Sequence, residues 1–157
     1  MYVDGKCLAQ SLAISDWCAR QAGLVPTDSF QHAKISEVVQ FISQDVRERV
    51  IAPTMREPDA AKKAEQRKQV NDETLPAKLA VLEGMVGPSG FLVGETLTMA
   101  DLHFYVFANW VGMEVLDGLT KECITAFPKL TALVRTLNDT PAIKQWNAEK
   151  NPKLPWC

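Results

Sequence analysis

Residues 91–102 decide the fold, and they read Phe91-Leu92-Val93-Gly94-Glu95-Thr96-Leu97-Thr98-Met99-Ala100-Asp101-Leu102. Thr98 and Asp101 stand three positions apart, which is capping-box spacing: each side chain can accept a hydrogen bond from the backbone N–H of the other residue. The Asp101 carboxylate also falls in the first helical turn, where the helix dipole favours negative charge. The spacing therefore predicts that a helix begins after Thr98 and that Asp101 has a structural role instead of acting as a catalytic acid.

The helix that begins there is apolar on nearly every side. Its apolar residues are Leu102, Phe104, Tyr105, Val106, Phe107, Ala108, Trp110 and Val111. Such a helix is typical of the centre of a bundle, because it has no polar face to present to water. We therefore predict that this helix lies in the core, where Asn109 needs a hydrogen-bond partner.

Helical patterns continue on both sides of this segment. Apolar spacing and capping residues predict further helices in five places: residues 12–21, residues 28–52, residues 59–86, from Pro128 onward and from Thr140 onward. Pro53 is expected to end the second of these and Pro76 to kink the third, because proline has no N–H to continue the hydrogen-bond ladder. Trp146 is expected on the core face of the last helix. The pattern predicts an all-α fold, a helical bundle behind a short N-terminal hairpin.

Charged residues crowd the first half of the helix predicted over residues 59–86. They are Lys62, Lys63, Glu65, Arg67, Lys68 and Asp72. Acidic residues are interspersed among the basic ones along the helix, as is usual on a hydrated surface. We interpret the group as a solvent-exposed helix face and not as a phosphate site.

The first residues differ from the rest of the chain. Tyr2 and Val3 suit a strand, and Asp4-Gly5 favours a two-residue hairpin turn because glycine accepts a positive φ. A hairpin of this length is not stable by itself. We therefore expect the chain to start in the middle of a hairpin, with part of a domain missing upstream.

The composition is that of an ordinary globular chain, with 46% hydrophobic residues, 23% charged residues and a formal net charge of −2. Proteins that bind nucleic acid usually carry a basic surplus, so no nucleic-acid partner is expected. No apolar run approaches the roughly 20 residues of a membrane helix, and residues 1–6 contain no signal-peptide core. We expect a cytoplasmic protein with no membrane partner.

The cysteines and histidines are too scattered to predict a metal or redox site. The chain has 4 cysteines and 2 histidines, and no two cysteines form a C-x-x-C pair. No metal cofactor is therefore expected. In a cytoplasmic chain the thiols should be reduced, and Cys18 fits a small residue of the core.

In this order, the segments resemble the glutathione S-transferase family, and the details are most similar to its sigma-like branch. The matching segments are residues 3–14, which resemble the end of the thioredoxin-like domain, residues 91–101, which resemble the capped core helix of the C-terminal domain, and residues 127–130 and 141–146, which resemble its closing helices. The resemblance implies two parts. Residues 1–26 are a remnant of the thioredoxin-like glutathione-binding domain, and residues 27–157 are the C-terminal helical domain.

The resemblance also implies that Gln10 and Ser11 bind the γ-glutamyl end of glutathione, the co-substrate of the family. Ser11 stands at the start of a predicted helix, where unpaired backbone N–H groups and the helix dipole favour a carboxylate. Gln10 offers both a donor and an acceptor to an amino-acid group. The alternative is that Ser11 only caps its helix. No catalytic residue is assigned, because the Tyr, Ser or Cys that activates the thiol in this family belongs upstream of Tyr2.

The implied function is that of a truncated glutathione S-transferase, whose parent activity joins glutathione to a small electrophile. The electrophile would lie between the domains, against the helix over residues 28–52 and near Trp156. The alternative is a non-catalytic helical module for dimerisation or scaffolding. Without the rest of the first domain, apolar surface near Leu8, Leu12 and Trp17 should be exposed, so we expect a homodimer or other self-association.

Overall fold

The computed structural model describes residues 1–113 and 115–150, in which a series of helices follows a short hairpin. The α-helices are α1 (Ser11–Gln21), α2 (Ser29–Gln40), α3 (Ala52–Arg56), α4 (Ala60–Gln69), α5 (Leu75–Met85), α6 (Met99–Gly112), α7 (Glu122–Thr125), α8 (Pro128–Asp139) and α9 (Pro141–Lys150). Two π-helical segments join them: α2 continues into α3 through π1 (Phe41–Ile51), and α4 into α5 through π2 (Val70–Thr74). The predicted all-α fold is confirmed. Within these residues, no helix is both long and apolar enough to cross a membrane.

The hairpin consists of two antiparallel strands, β1 (Tyr2–Val3) and β2 (Lys6–Cys7). The turn between them has positive φ at both central residues, 48° at Asp4 and 77° at Gly5. Positive φ at both positions is the geometry of the hairpin turns that match strand twist. The predicted turn is therefore confirmed, and the hairpin leads directly into α1.

Helix α6 lies at the centre of the bundle, as predicted, with α2, π1 and α8 packed against it. Phe104 and Val111 are fully buried. Asn109 is buried too, and its side-chain amide donates to the Tyr105 carbonyl at 2.9 Å. Val106 is the exception to the expected burial, since it is 65% exposed. One side of α6 therefore remains accessible, and it faces the groove described below.

The predicted capping box at the start of α6 is present. The fully buried Asp101 carboxylate accepts hydrogen bonds from the backbone N–H groups of Thr98 and Leu92, both at 2.8 Å, and from the Thr98 hydroxyl at 2.9 Å. Burial raises the pKa of this carboxyl group, and the same hydrogen bonds oppose the rise. Asp101 thus joins the loop before α6 to the first turn of the helix.

The two prolines expected to disturb helices behave differently from one another. The helix that Pro53 was expected to end continues through π1 and α3 to Arg56, so that prediction is wrong. At Pro76 the expected irregularity takes the form of π2. Both π-helical segments end two residues before a proline, at Ile51 and at Thr74. Wider turns at these points accommodate a residue that lacks an N–H without ending the helix.

Two residues expected in the core face solvent. Trp146 is 59% exposed, because its neighbour Asn147 occupies the core side of α9 and donates to the Tyr105 hydroxyl at 2.6 Å. Successive helical residues point roughly 100° apart, so burying one turns the next away. The same geometry buries Ala19 on α1 and leaves Cys18 exposed.

A side chain of α5 provides the N-terminal cap of α8. The Glu83 carboxylate accepts from the backbone N–H groups of Lys129 at 3.0 Å and Leu130 at 2.9 Å. These groups belong to the first turn of α8, where a helix has no internal acceptors. The contact joins residues 46 and 47 positions apart, so no local sequence pattern indicated it.

Candidate functional site

A groove of about 880 Å³ lies between α1, π1 and α6. Apolar side chains that include Leu12, Leu102 and Val106 contribute to its lining. Gln10 and Ser11 line it at the start of α1. The structure therefore places both residues of the predicted binding pair on one open groove.

The backbone of Gln10 adopts a sparsely populated conformation, with φ 70° and ψ 123°. Among the described residues, Asp4 is the other non-glycine residue with positive φ, and it lies in the hairpin turn. Conformations of this kind cost about 1–3 kcal/mol and concentrate at functional sites. Here the strained residue projects its side chain from the junction of the hairpin segment and α1.

Ser11 is the first residue of α1 and does not cap the helix. Gln10 occupies the cap position, and no side chain caps this end. Among the described residues, neither the Ser11 hydroxyl nor the Gln10 side-chain amide forms a hydrogen bond. The first turn also contains no acidic residue. Unpaired N–H groups, the helix dipole and a free hydroxyl are thus all available to an anionic ligand at this point.

The facing wall of the groove carries a histidine–serine pair and an arginine. The Nε2 atom of His103 on α6 lies 2.8 Å from the Ser43 hydroxyl on π1. Burial, and secondarily the nearby Arg47 guanidinium, lowers the pKa of His103. Arg47 itself lies over the Trp110 ring, with 5.2 Å from its guanidinium carbon to the ring centroid. The pair was not predicted, because 60 positions separate its members in the sequence.

The lowered pKa of His103 predicts a specific loss of stability in acid. The folded pKa lies below the unfolded value of 6.5, so the unfolded chain binds this proton more readily and stability falls as pH drops below 6.5. We expect the wild-type chain to lose more stability than His103→Gln when urea unfolding is compared above and below pH 6.5. The glutamine can still hydrogen bond to Ser43 but cannot titrate. Equal losses in the two proteins would contradict the assignment.

An ionic cluster and a backbone contact hold α1 against the helical bundle. Asp16 on α1 accepts from the Arg20 side chain at 2.8 Å, and His32 on α2 lies 3.1 Å from the same carboxylate. The hydrogen bond from Arg20 is the main reason that the pKa of Asp16 is lowered. The Met99 backbone N–H also donates to the Leu24 carbonyl at 3.0 Å. These contacts fix the position of Ser11 relative to the facing wall.

One side of the groove is formed by part of the helix that was expected to line the electrophile site. Gln44 and Arg47, both within the helix predicted over residues 28–52, line it. Trp156, the other expected contributor, lies outside the described residues. Leu8, Leu12 and Trp17 are only half-buried, so a partly apolar surface remains at the place where exposure was expected.

The described cysteines are unpaired. Cys7 and Cys18 are exposed, whereas Cys123 is buried and its thiol donates to the Asn71 side chain at 2.7 Å. Burial raises the pKa of the Cys123 thiol. Within residues 1–113 and 115–150, no group of three or more His, Cys, Asp and Glu side chains could hold a metal ion.

Comparison with known proteins relates the chain to one family. The family described as glutathione S-transferase, C-terminal domain, matches residues 44–150. Glutathione S-transferase 1 of Ascaris suum is 28% identical over 98% of this chain and 73% of its own length. A glutathione S-transferase of Anopheles gambiae is 31% identical over 94% of this chain and 70% of its own length.

The fold agrees with the sequence comparison. The solved structure of prostaglandin synthase D of Nilaparvata lugens superposes with a TM-score of 0.82 at 26% identity, over 96% of this chain and 72% of that one. The family match covers α4–α9 together with part of π1 and all of α3, and the relatives extend the likeness through the hairpin and α1. The chain therefore belongs to the glutathione S-transferase family.

Proposed function

We propose that this chain binds glutathione in the groove between α1, π1 and α6, with the γ-glutamyl end held by Gln10 and Ser11. The observation that carries the proposal is the strained backbone of Gln10 beside an uncapped helix start, with both side chains unpaired on the groove. Strain of this kind persists where a site needs a particular side-chain position. Glutathione is the co-substrate of the family to which the chain belongs.

The chemistry of the γ-glutamyl group fits these two residues. Its α-carboxylate suits the unpaired N–H groups at the start of α1 and the Ser11 hydroxyl. Its α-ammonium suits the side-chain oxygen of Gln10, which can also donate to the carboxylate through its nitrogen. The groove volume of about 880 Å³ lies within the usual range for small-molecule sites.

The proposed reaction joins the glutathione sulfur to an electrophilic carbon that lies along the apolar part of the groove. The sulfur must first lose its proton, since the thiolate is the nucleophile and a free thiol has a pKa of about 8.5. We assign Gln10 and Ser11 to binding and no residue to catalysis. We also propose that residues 1–26 are the end of a thioredoxin-like unit and that residues 27–157 form the helical domain; the family match from residue 44 onward supports the second of these.

The alternative function is that of a non-catalytic helical module for dimerisation or scaffolding. The large buried core of α2–α8 favours it, because that part of the chain has an apolar interior of its own. Exposed Phe30, 73% accessible on α2, is a candidate contact for self-association into a homodimer. Analytical ultracentrifugation distinguishes a concentration-dependent dimer from a monomer. A cytoplasmic location stays a prediction.

Calorimetric titration with glutathione tests the proposed binding. We expect sub-millimolar affinity for the wild-type chain. Ser11→Ala should weaken binding roughly tenfold or more, because a hydrogen bond to a charged group contributes about 1.5–3 kcal/mol. Ser29→Ala is the matched control, since Ser29 also begins a helix but does not line the groove.

Two results would contradict the glutathione site. One is the absence of binding heat with glutathione at several millimolar, which would favour the scaffold function. The other is an equal loss of affinity in Ser11→Ala and Ser29→Ala, which would show that the binding does not depend on the start of α1.

A further inference from the structure

The prediction that the charged residues of α4 are exposed to solvent is wrong for one residue, Arg67. Its side chain is only 5% exposed, whereas Lys62 and Lys68 on the same helix are exposed. The buried guanidinium donates through Nε to the Thr54 hydroxyl and through Nη1 to the Asp117 carbonyl at 3.0 Å. Both acceptors are uncharged.

The positive charge of Arg67 lacks a counter-ion in the part of the chain that the structure describes. None of the ion pairs there includes this residue. A buried charge is costly unless it is paired, and neutral hydrogen bonds compensate only part of the lost hydration. The arrangement is therefore incomplete as a purely structural contact, and an anion would complete it.

Arg67 forms part of the wall of a separate cavity of about 470 Å³ between α4 and residues 117–118. The other charged residues of the lining are Lys63, Lys68, Asp72 and Asp117. Lys68 pairs with Asp72, so these two charges offset each other. The remaining charged residues of the lining are two cations, Arg67 and Lys63, and one exposed carboxylate, that of Asp117, which forms no ion pair with either cation. The cavity shares no lining residue with the groove at Gln10 and Ser11.

In contrast to the interpretation drawn from the charge pattern alone, which excluded a phosphate site here, we propose that this cavity binds the phosphate group of a small organic phosphate, with Arg67 and Lys63 as its two cations. A phosphate monoester carries a charge of about −1.5 to −2 near neutral pH. This charge balances that of two cations more closely than the single negative charge of one carboxylate does. The planar guanidinium donates in a fork whose geometry suits phosphate oxygens. The volume exceeds that of a bare phosphate, and Pro58 and Ala64 supply apolar wall for the organic part.

The proposal extends beyond glutathione binding and does not depend on it. Because the two sites share no residues, a chain that fails to bind glutathione can still bind phosphate here, and the reverse also holds. Phenyl phosphate and inorganic phosphate, titrated separately in phosphate-free buffer and followed by ³¹P NMR, distinguish an organic ester from the free ion. We expect saturable 1:1 binding of phenyl phosphate and weaker binding of inorganic phosphate.

Two substitutions at the cavity test the roles of the charges. Lys63→Gln should weaken phenyl phosphate binding roughly fivefold. Lys62→Gln, on the same helix but outside the cavity, should leave the affinity unchanged. Asp117→Asn keeps the backbone carbonyl that Arg67 contacts and removes the opposing charge, so it should tighten binding roughly threefold. Both positions lie outside the hydrophobic core, so these variants should fold.

Three results would overturn the proposal. The first is a lack of saturable binding by either probe, which would leave Arg67 as a structural residue only. The second is an equal effect of Lys63→Gln and Lys62→Gln, which would indicate non-specific attraction to a basic helix. The third is equal affinity for inorganic phosphate and phenyl phosphate, which would remove the organic ester from the proposal.

Discussion

Replacing Asp101 by alanine is expected to lower the free energy of unfolding by roughly 4 kcal/mol, since each buried donor left without an acceptor costs about 1–3 kcal/mol. The substitution leaves the backbone N–H groups of Leu92 and Thr98 without their acceptor in a fully buried position. It also removes the negative charge from the first turn of α6. Urea unfolding followed by circular dichroism measures the difference.

The control for this substitution is Asp139→Ala. Asp139 is an exposed aspartate at the end of α8, and a surface change of that kind usually stays within about 0.5 kcal/mol. Asp101→Asn should fall between the two, because an amide oxygen can accept from one of the two backbone groups. If Asp101→Ala were as stable as Asp139→Ala, the carboxylate would not hold the loop to the helix.

Glu83→Ala should lower the free energy of unfolding by about 2 kcal/mol, the upper end of the range for losing a helix cap. The Glu83 carboxylate accepts from two backbone N–H groups in the first turn of α8 and adds negative charge where the dipole favours it. Because Glu83 lies on α5, the substitution removes a contact between helices as well as a cap. The same unfolding assay applies.

Glu65→Ala is the matched control for Glu83. Glu65 is an exposed helical glutamate on α4, and no hydrogen bond joins it to another described side chain. Glu83→Gln should retain part of the stability, because its amide oxygen can still accept. A Glu83→Ala protein with the stability of the Glu65→Ala protein would show that solvent satisfies the first turn of α8 equally well.

Features encoded within a few residues could be predicted from the sequence. The capping box of Thr98 and Asp101 and the turn at Asp4-Gly5 depend on neighbours along the chain, and both are present. The presence of the helices could likewise be predicted, because the spacing of apolar residues is also a local feature of the sequence. Pro53 shows the limit of local rules, since a proline that breaks a regular α-helix is accommodated when the turns before it are π-helical.

Features that depend on distant contacts could not be predicted. Which face of α9 turns inward depends on the contact between Asn147 and Tyr105, and this contact directs Trp146 to solvent. Burial of Arg67 depends on residue 54 of α3 and on residue 117 in the turn between α6 and α7, both outside α4. Charge pattern alone suggested an exposed face there, because the sequence does not show which turn of the helix is covered.

The residues of the candidate site also include some that local sequence could predict and some that it could not. Gln10 and Ser11 were found from adjacent residues and family resemblance, and they do lie together on a groove. Their role in binding glutathione stays a prediction. The facing wall of Ser43, Arg47 and His103 comes from two elements, so its residues could be identified only after the chain was folded.

The cap that Glu83 provides also bears on the order in which the chain folds. Forming the first turn of a helix is the unfavourable step, and its unpaired N–H groups add to the difficulty. In α8 the acceptor for those groups is the Glu83 carboxylate of α5, which lies more than forty positions earlier in the chain. A nascent α8 therefore lacks its cap until α5 is in place, so its nucleation is coupled to closure of a long loop, a contact of high sequence separation that slows folding.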